Sequence, residues 1–250
     1  MRLRNIIPAS LRSSSVYRHV RAAYTLNRFR SPERIFSDIY QTNKWGGPEG
    51  SPYSGTGSRG DVVDAYVAYV IAFIERHSPS TVVDLGCGDF YVGAKIADAC
   101  DHYIGVDVVP TLIAEHQHRH ATDRISFACL DITRDELPSG DICLIRQVLQ
   151  HLSNRQIAAV LRQCRQYRYV LVTEHHPHPD ELTAFNLDKA PGSGTRLDFG
   201  STVDLGAPPF NLPVSEVLAL PAAQPPHAPE DIYSRGSIRT YLLDGRLIAH

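Results

Sequence analysis

The stretch Thr81-Val-Val-Asp-Leu-Gly-Cys-Gly-Asp-Phe90 decides the fold, because a short apolar run ends there in a glycine turn. Such runs are typical of strands that are buried in a parallel sheet. Two more runs follow, Tyr103-Ile-Gly-Val-Asp107 and Phe127-Ala-Cys-Leu-Asp131, and each ends in an acid. Open α/β sheets bind their ligands at the carboxyl ends of their strands. The three strand ends together predict a crevice that holds a nucleoside by its polar groups.

The glycine turn itself argues against a pyrophosphate ligand. Gly86 and Gly88 lack a Cβ atom, so the backbone can turn tightly and approach a ligand closely. A dinucleotide site prefers the spacing G-x-G-x-x-G, but Tyr91 stands at the third glycine position and Gly93 comes later. A tyrosine there would crowd the helix–strand contact which that glycine permits. Asp84 also suits a cationic amine better than a phosphate.

With these three strand ends, residues 78–175 resemble the class I S-adenosylmethionine (SAM)-dependent methyltransferases. The resemblance implies SAM as the cofactor, with Asp84 serving its aminoacyl end, Asp107 its ribose hydroxyls and Asp131 its adenine amino group. The remaining cofactor-binding residues that it implies are Gly86, Gly88, Ile132 and Gln147. Taken one at a time, the glycine turn could be purely structural, and Asp107 and Asp131 could cap the helices that follow them.

Strands that alternate with helices predict an α/β fold with a doubly wound, seven-stranded, mostly parallel sheet. The pattern predicts strands over 81–85, 103–107, 126–130, 141–145 and 168–174, and helices over 61–76, 91–100, 110–119 and 154–165. The resemblance adds a terminal antiparallel hairpin, for which 216–220 and 238–243 are the candidates, with a proline-rich loop over 221–236. We expect an N-terminal basic helical extension and cofactor-closing segment over 1–60, then one methyltransferase domain over 61–250.

Composition narrows the class of protein. The net charge of −2 gives no overall reason to expect a nucleic-acid partner. No apolar run of about eighteen residues is present, so no membrane span is expected. The five cysteines form no C-x-x-C pair, which indicates buried, reduced thiols in a cytoplasmic protein. Nothing in the sequence fixes the oligomeric state.

The first 30 residues are unusual, because they carry seven arginines and no acid. A basic amphipathic segment can make peripheral contact with an anionic membrane or bind an acidic partner. Enrichment in arginine and serine is also typical of transit peptides. The simplest interpretation is a solvated helix that packs loosely on the domain.

A short amphipathic segment, Ile35-Phe-Ser-Asp-Ile-Tyr40, comes next and is followed by glycine-rich loops. This order resembles the lead-in of many bacterial small-molecule and saccharide methyltransferases, in which it closes over SAM. Trp45, the single tryptophan, is either a wall of the substrate site or an aromatic plug on the core. The run Ser54-Gly-Thr-Gly-Ser58 lacks the Gly-Lys-Ser/Thr ending of a nucleotide-binding P-loop.

Three histidines are the candidate catalytic residues. His151 follows the fourth strand, where the resemblance places the transferred methyl group. His175 and His176 follow the fifth strand. Histidine accepts protons near neutral pH, but each of these residues could equally be structural. Adjacent side chains of an extended segment point to opposite faces, so His175 and His176 are poorly placed to bind one metal ion together. We predict no metal, with a divalent ion bound by one of them and Asp188 as the alternative.

A long glycine-rich loop stands where a crossover helix would follow the fifth strand, and we expect it to form the substrate loop over 175–213. Asn186, Asp188 and Arg196 are its candidate substrate-binding residues, together with Trp45 outside the loop. Arg196 would suit a carboxylate or phosphate. Each of the three loop residues could equally be solvated.

The predicted function is methyl transfer from SAM to a hydroxyl of a small metabolite or saccharide. The N-P-P-Y/F signature of amino-group methylation is absent after the fourth strand, which disfavours methylation of nucleic-acid bases and of glutamine. N- or C-methylation of a small molecule, a non-catalytic nucleoside-binding module and a dehydrogenase are the alternatives.

Overall fold

A computed structural model describes residues 30–48, 50–222 and 235–248. The predicted contact of the basic N-terminus with a membrane falls on residues 1–29, outside the described residues, as does most of the predicted loop over 221–236. Within the described residues, no helix is long and apolar enough to cross a bilayer.

The helices are α1 (Pro32–Gln41), α2 (Asp61–His77), α3 (Tyr91–Ala97), α4 (Pro110–His120) and α5 (Asn154–Gln163). The strands are β1 (Thr81–Leu85), β2 (His102–Asp107), β3 (Ile125–Cys129), β4 (Ile142–Arg146), β5 (Tyr169–His176), β6 (Ala184–Phe185), β7 (Ser201–Thr202), β8 (Ser215–Pro221) and β9 (Ser237–Leu243).

Seven of these strands form one sheet in the order β3-β2-β1-β4-β5-β9-β8. Neighbouring strands from β3 to β5 run parallel, whereas β9 pairs antiparallel with both β5 and β8. Asp84 in β1 lies opposite Gly105 of β2 and Leu144 of β4. The predicted doubly wound sheet with an antiparallel hairpin is therefore confirmed.

Apolar side chains cover both faces of the sheet. On one face, Val82 and Leu144 pack with residues of α2, α3 and α4, and on the other, Val83 and Ile145 pack with residues of α5. Strands that are buried on both faces need continuous apolar runs, which explains why β1 and β4 were recognisable in the sequence.

Local signals set most helix boundaries. Ser31 accepts a hydrogen bond from the Arg34 amide at the start of α1, and Ser153 and Gln156 form a capping box at the start of α5. Two helices end earlier than predicted, α3 at Ala97 and α5 at Gln163, and a 3₁₀ turn over Cys164–Gln166 follows α5.

The long loop after β5 has internal structure that the sequence pattern did not predict. Two short strands in it, β6 and β7, pair in parallel. Asn186 adopts a φ of 55° and donates from Nδ2 to the carbonyls of Asp204 and Pro208. The loop is therefore held by its own polar contacts rather than by a helix.

The prediction that all five cysteines are buried is wrong for Cys129. Cys100, Cys143 and Cys164 are buried, whereas Cys129 is exposed and Cys87 is partly buried. Cys129 lies on β3, an edge strand of the sheet, so its side chain lacks the cover that central strands receive. All five are free thiols.

Candidate functional site

A cavity of about 980 Å³ opens at the carboxyl ends of the parallel strands. All of the predicted cofactor-binding residues border it, namely Asp84, Gly86, Gly88, Asp107, Asp131, Ile132 and Gln147. So do Trp45, His151 and His175, whereas His176, Asn186, Asp188 and Arg196 do not.

The glycine turn forms the floor of the cavity. Gly86 has a φ of 80° and Gly88 a φ of 54°, and a Cβ atom would collide with Val148 at the first and with Ser54 at the second. Tyr91 does not crowd the helix, because it is exposed. Gly93 allows the close contact instead, since a Cβ there would collide with the Tyr103 hydroxyl.

Phe90 ends the glycine turn in a backbone conformation that few side chains adopt. Its φ is 60°, a left-handed value that is a genuine outlier for a bulky residue. Its ring is buried and packs against those of Tyr103, His116 and Phe127 at centroid distances of 4.8–5.6 Å. The His116 ring also contacts the Gly88 carbonyl oxygen through Nε2 at 2.8 Å. This packing stabilises the glycine turn.

Asp84 is a buried acid at the end of β1. Its Oδ2 accepts a hydrogen bond of 2.5 Å from the Tyr103 hydroxyl. Burial raises the pKa of Asp84 to about 6, although the bond from Tyr103 and the charge of Arg146 act in the opposite direction. A cationic group in the cavity would stabilise the ionised carboxylate.

Asp107 holds the glycine turn and the start of α4 together. Its Oδ2 accepts from the Gly88 amide at 3.0 Å and its Oδ1 from the Val109 amide at 3.0 Å. The residue that caps α4 is Val109, so the alternative role of Asp107 as a helix cap does not apply. Each carboxylate oxygen keeps a further lone pair that can accept from a hydroxyl in the cavity.

Asp131 and Ile132 lie just after the end of β3, the third strand. Asp131 Oδ1 accepts from the Thr133 amide at 3.0 Å and the Thr133 hydroxyl at 2.7 Å, and no helix follows for it to cap. Ile132 is buried among apolar side chains and presents a wall to the cavity. These carboxylate acceptors and the apolar wall therefore fit a ligand with an amine, ribose hydroxyls and a flat base.

The segment that follows α1 packs across the half of the cavity that the three strand ends form. Ser54 donates from its amide to Asp89 Oδ2 at 2.9 Å, and its hydroxyl accepts from the Asp89 amide at 2.8 Å. The Tyr40 hydroxyl contacts the same Ser54 hydroxyl at 2.8 Å. Arg59 forms an ion pair with Asp89 at 2.8 Å, and its guanidinium lies 3.9 Å from the Tyr91 ring centroid.

Arg59, Asp89 and Arg146 border the cavity but were not among the predicted site residues. Asp89 lies within the glycine turn and Arg146 directly follows the fourth predicted strand, so their positions could have indicated them. No signal in the sequence links Arg59 to Asp89.

Aromatic side chains surround His151 in the other half of the cavity. The Trp45 ring lies 5.2 Å from the rings of both His151 and Tyr40, and the Phe36 ring lies 6.5 Å from that of His151. Trp45 Nε1 also contacts the Ser193 carbonyl at 3.4 Å, which ties the lead-in segment to the loop after β5. We call Phe36, Tyr40, Trp45 and His151 the aromatic wall.

The protonation of His151 follows from its partners. Nδ1 lies 3.1 Å from the Gly192 carbonyl oxygen, which can only accept, so the proton of the neutral ring is on Nδ1. The Gly192 amide in turn donates to the His151 carbonyl at 3.1 Å. Burial, and then the charge of Lys189, lower the pKa of His151 to about 3. The imidazole is therefore neutral at physiological pH, and its Nε2 lone pair faces the Gln150 side-chain amide, whose Nε2 lies 3.5 Å away.

The two histidines of β5 point to opposite faces, as their adjacency predicts. His175 borders the cavity. His176 is buried outside it, with Nε2 3.4 Å from the Tyr241 hydroxyl, and burial lowers its pKa to about 3. The placement of His176 does not support its predicted role as a base, because a substrate in the cavity cannot reach it.

The predicted acceptor contacts of three loop residues are not supported either. Arg196 is 1% exposed, and all five of its N–H groups donate to acceptors of the protein, four backbone carbonyls and the Asn154 side chain. Asp188 accepts from the Asn154 amide at 2.8 Å, and Asn186 holds the loop. The loop reaches the cavity through Ser193, Gly194 and Thr195 instead.

Within the described part of the chain, no three or more His, Cys, Asp or Glu side chains gather in a group that could hold a metal ion.

Comparison with known proteins agrees with this geometry. Residues 82–168 match the family model of a methyltransferase domain. No curated relative matches the chain. The fold is similar to that of the N-methyltransferase NodS from Bradyrhizobium japonicum WM9 in complex with S-adenosyl-L-homocysteine, with 13% identity, a TM-score of 0.52 and coverage of 82% of this chain and 97% of that one. It is also similar to magnesium protoporphyrin IX methyltransferase (ChlM) from Synechocystis PCC 6803 with bound SAM, with 14% identity, a TM-score of 0.52 and coverage of 86% and 99%.

Proposed function

Because the chain contains a class I SAM-dependent methyltransferase domain, we propose that it methylates a hydroxyl group of a small metabolite or saccharide. The observation that carries this proposal is the neutral His151, whose Nδ1 proton is fixed by Gly192 and which borders the cavity. When bound, SAM supplies an electrophilic methyl group on its sulfonium.

The half of the cavity that the three strand ends form is called the cofactor half here. Its residues fit SAM by their chemistry. Asp84 offers a carboxylate for the ammonium group, Asp107 two acceptor oxygens for the ribose hydroxyls, and Asp131 an acceptor for the adenine amino group. Gln147 Nε2 is buried and makes no hydrogen bond with the described residues, so a ligand acceptor would satisfy it. The packing of Ser54 and Arg59 on Asp89 supports a closing role for the segment that ends at residue 60.

An alcohol is a poor nucleophile, so it must lose its proton as the new bond forms. His151 can accept that proton at Nε2 because its Nδ1 is occupied by the Gly192 carbonyl. General-base catalysis contributes roughly 10²- to 10⁴-fold to a rate, and most when the pKa of the base lies near the operating pH. Because burial lowers the pKa of His151 to about 3, we expect a contribution at the lower end of that range. The hydroxyl must also lie in line with the methyl group, and such positioning can supply about 7–11 kcal/mol of the barrier.

The aromatic wall favours a neutral acceptor with a flat apolar face. Phe36 and Trp45 are uncharged rings, and a sugar or aromatic ring can stack against them. Among charged side chains, Lys189 has the largest electrostatic effect on His151, and in its protonated form it would repel an ammonium acceptor. Burial lowers the pKa of Lys189 to about 7, so it is partly protonated at physiological pH. This arrangement supports oxygen rather than nitrogen as the methylated atom.

Methyl transfer from labelled SAM to a panel of hydroxylated acceptors, run with His151→Gln and His176→Gln, tests the proposal. We expect His151→Gln to lower kcat by about 10²-fold, the lower end of the range for a general base, with unchanged SAM affinity. His176→Gln is the matched control, since it removes a buried imidazole outside the cavity, and it should retain turnover.

Two other outcomes would contradict the proposal. Turnover with amines or carbon nucleophiles but with no hydroxyl would assign the enzyme to N- or C-methylation. SAM binding without turnover on any acceptor would favour a non-catalytic nucleoside-binding module.

A further inference from the structure

Gln150 is a buried amide that lies next to His151 at the cavity. It is the middle residue of the 3₁₀ turn Leu149–His151, it borders the cavity, and it is 7% exposed. Its side-chain Nε2 donates to the Gln147 carbonyl at 3.3 Å. An amide nitrogen carries two N–H groups, so one of them remains for another partner.

The remaining N–H of Gln150 is poorly matched to the lone pair of His151. The Nε2 atoms of the two side chains lie 3.5 Å apart. Because Nδ1 of the neutral His151 ring carries the proton, its Nε2 can only accept. Hydrogen bonds from nitrogen donors usually span about 2.7–3.2 Å, so this contact is long and weak. The donor and the acceptor are therefore both available for stronger bonds to one ligand atom placed beside them.

Contacts on both sides of the turn fix the backbone from which the Gln150 side chain extends. Arg196 donates from Nη1 to the Gln150 carbonyl at 3.2 Å, and the Leu149 amide donates to Glu174 at 2.9 Å. The side chain is also enclosed, because its exposed fraction is small. Gln150 and His151 therefore present their donor and acceptor in a preorganised arrangement.

A hydroxyl group satisfies both side chains, whereas a neutral amine does not. A hydroxyl oxygen has one proton and two lone pairs. It can donate to His151, accept from Gln150 and keep its second lone pair for the methyl group. A neutral amine nitrogen has a single lone pair, and if that lone pair forms the new bond, the Gln150 N–H loses its acceptor. A buried donor without an acceptor is costly, which disfavours the amine.

We propose that Gln150 donates a hydrogen bond to the acceptor oxygen and, together with His151, selects hydroxyl groups over amino groups. This inference rests on the proposed function and narrows its substrate class to alcohols and phenols. In the transfer, the free lone pair of the oxygen forms the carbon–oxygen bond and the hydroxyl proton goes to His151 Nε2. The electron pair of the carbon–sulfur bond that breaks stays on sulfur. The hydrogen bond from Gln150 directs the attacking lone pair by occupying the other one.

The test compares methylation of the best hydroxyl acceptor from the panel with methylation of its analogue that carries an amino group at the same position. 2-Aminophenol, in which both groups compete within one molecule, is a second probe. We expect the wild-type chain to prefer the hydroxyl in kcat/KM. Gln150→Met, which has no N–H donor in its side chain, should lower that preference by roughly 5- to 100-fold. Gln150→Glu, whose ionised carboxylate can only accept, should lower it further. SAM affinity should be unchanged in both variants.

The matched control is Gln166→Met. Gln166 Nε2 also donates to the carbonyl three residues before it, at 3.4 Å and in a 3₁₀ turn, but Gln166 does not border the cavity. This variant should keep the wild-type preference for the hydroxyl.

An unchanged preference in a folded Gln150 variant would overturn the inference. So would a wild-type chain that methylates the amino analogue as well as the hydroxyl acceptor, even if neither variant folds. A wild-type chain that methylates no hydroxyl in the panel would instead refute the proposed function, so the two failures are distinguishable.

Discussion

The cofactor half and the acceptor half of the cavity are built in different ways. The cofactor half uses the ends of three neighbouring strands, and its acids at 84, 107 and 131 follow one another at similar intervals. The acceptor half is the part of the cavity around His151. It is formed by α1, the turn at His151 and the loop that contains Ser193. A strand end places a side chain by local geometry, whereas the acceptor half depends on contacts between distant segments.

The two halves also use their buried ionisable side chains differently. In the cofactor half, Asp84 and Arg146 keep groups open toward the cavity. Near the acceptor half, two buried side chains hold the turn over Leu149–His151. Arg196 donates to the carbonyls of Leu149 and Gln150, and Glu174, whose pKa burial raises to about 8, accepts from the Leu149 amide at 2.9 Å. The first pair is available to a ligand, and the second positions the turn that carries His151.

The largest expected effect is on the cofactor half alone. Asp107→Ala removes both the proposed acceptor for the ribose hydroxyls and the anchor of the Gly88 amide, and we expect SAM to bind roughly 10²- to 10³-fold more weakly. Calorimetric titration measures this, with Asp98→Ala, a change at an exposed acid, as control. Undiminished affinity in a folded Asp107→Ala variant would remove the basis for the cofactor half.

The next effect should fall on the acceptor half. Arg196→Met leaves five acceptors without their donors, and we expect the free energy of unfolding to fall by about 3 kcal/mol and kcat to fall as His151 loses its position. SAM affinity should stay within about twofold. Denaturant unfolding and methyl-transfer assays check this, with the exposed Arg155→Met as control. If the variant bound SAM tenfold more weakly yet kept its turnover, the two halves would not be separable in this way.

A smaller effect concerns pH. Burial lowers the pKa of His151 from 6.5 to about 3, so the folded chain binds fewer protons than the unfolded chain between these values. This histidine therefore destabilises the fold as the pH falls below 6.5, by about 2 kcal/mol at pH 5. His151→Gln should lose about that much less stability than the wild-type chain between pH 7.5 and 5. His176 is present in both chains, so its own contribution cancels. Parallel pH dependence of the two unfolding free energies would show that His151 is not buried in its neutral form.

The difference between the halves also explains what the sequence could predict. The strands, and the meeting of the seven predicted cofactor-binding residues at one cavity, were predictable, because apolar runs and the residues that end them are local signals. Arg196 was predicted to bind substrate, but its partners lie more than forty positions away at Leu149 and Gln150, and no local pattern reveals them. The same holds for Arg59, whose partner Asp89 belongs to another segment, and for the pairing of β6 with β7. Cys129 was misjudged because strand order, and hence which strand is an edge, is a property of the whole sheet.

A titration of the purified chain with SAM and, separately, with NAD tests the central claim most directly. The acids at the three strand ends and the glycine turn without a third glycine predict one SAM site per chain and no heat with NAD. Tight binding of NAD with no binding of SAM would contradict that claim and assign the same cavity to a dehydrogenase.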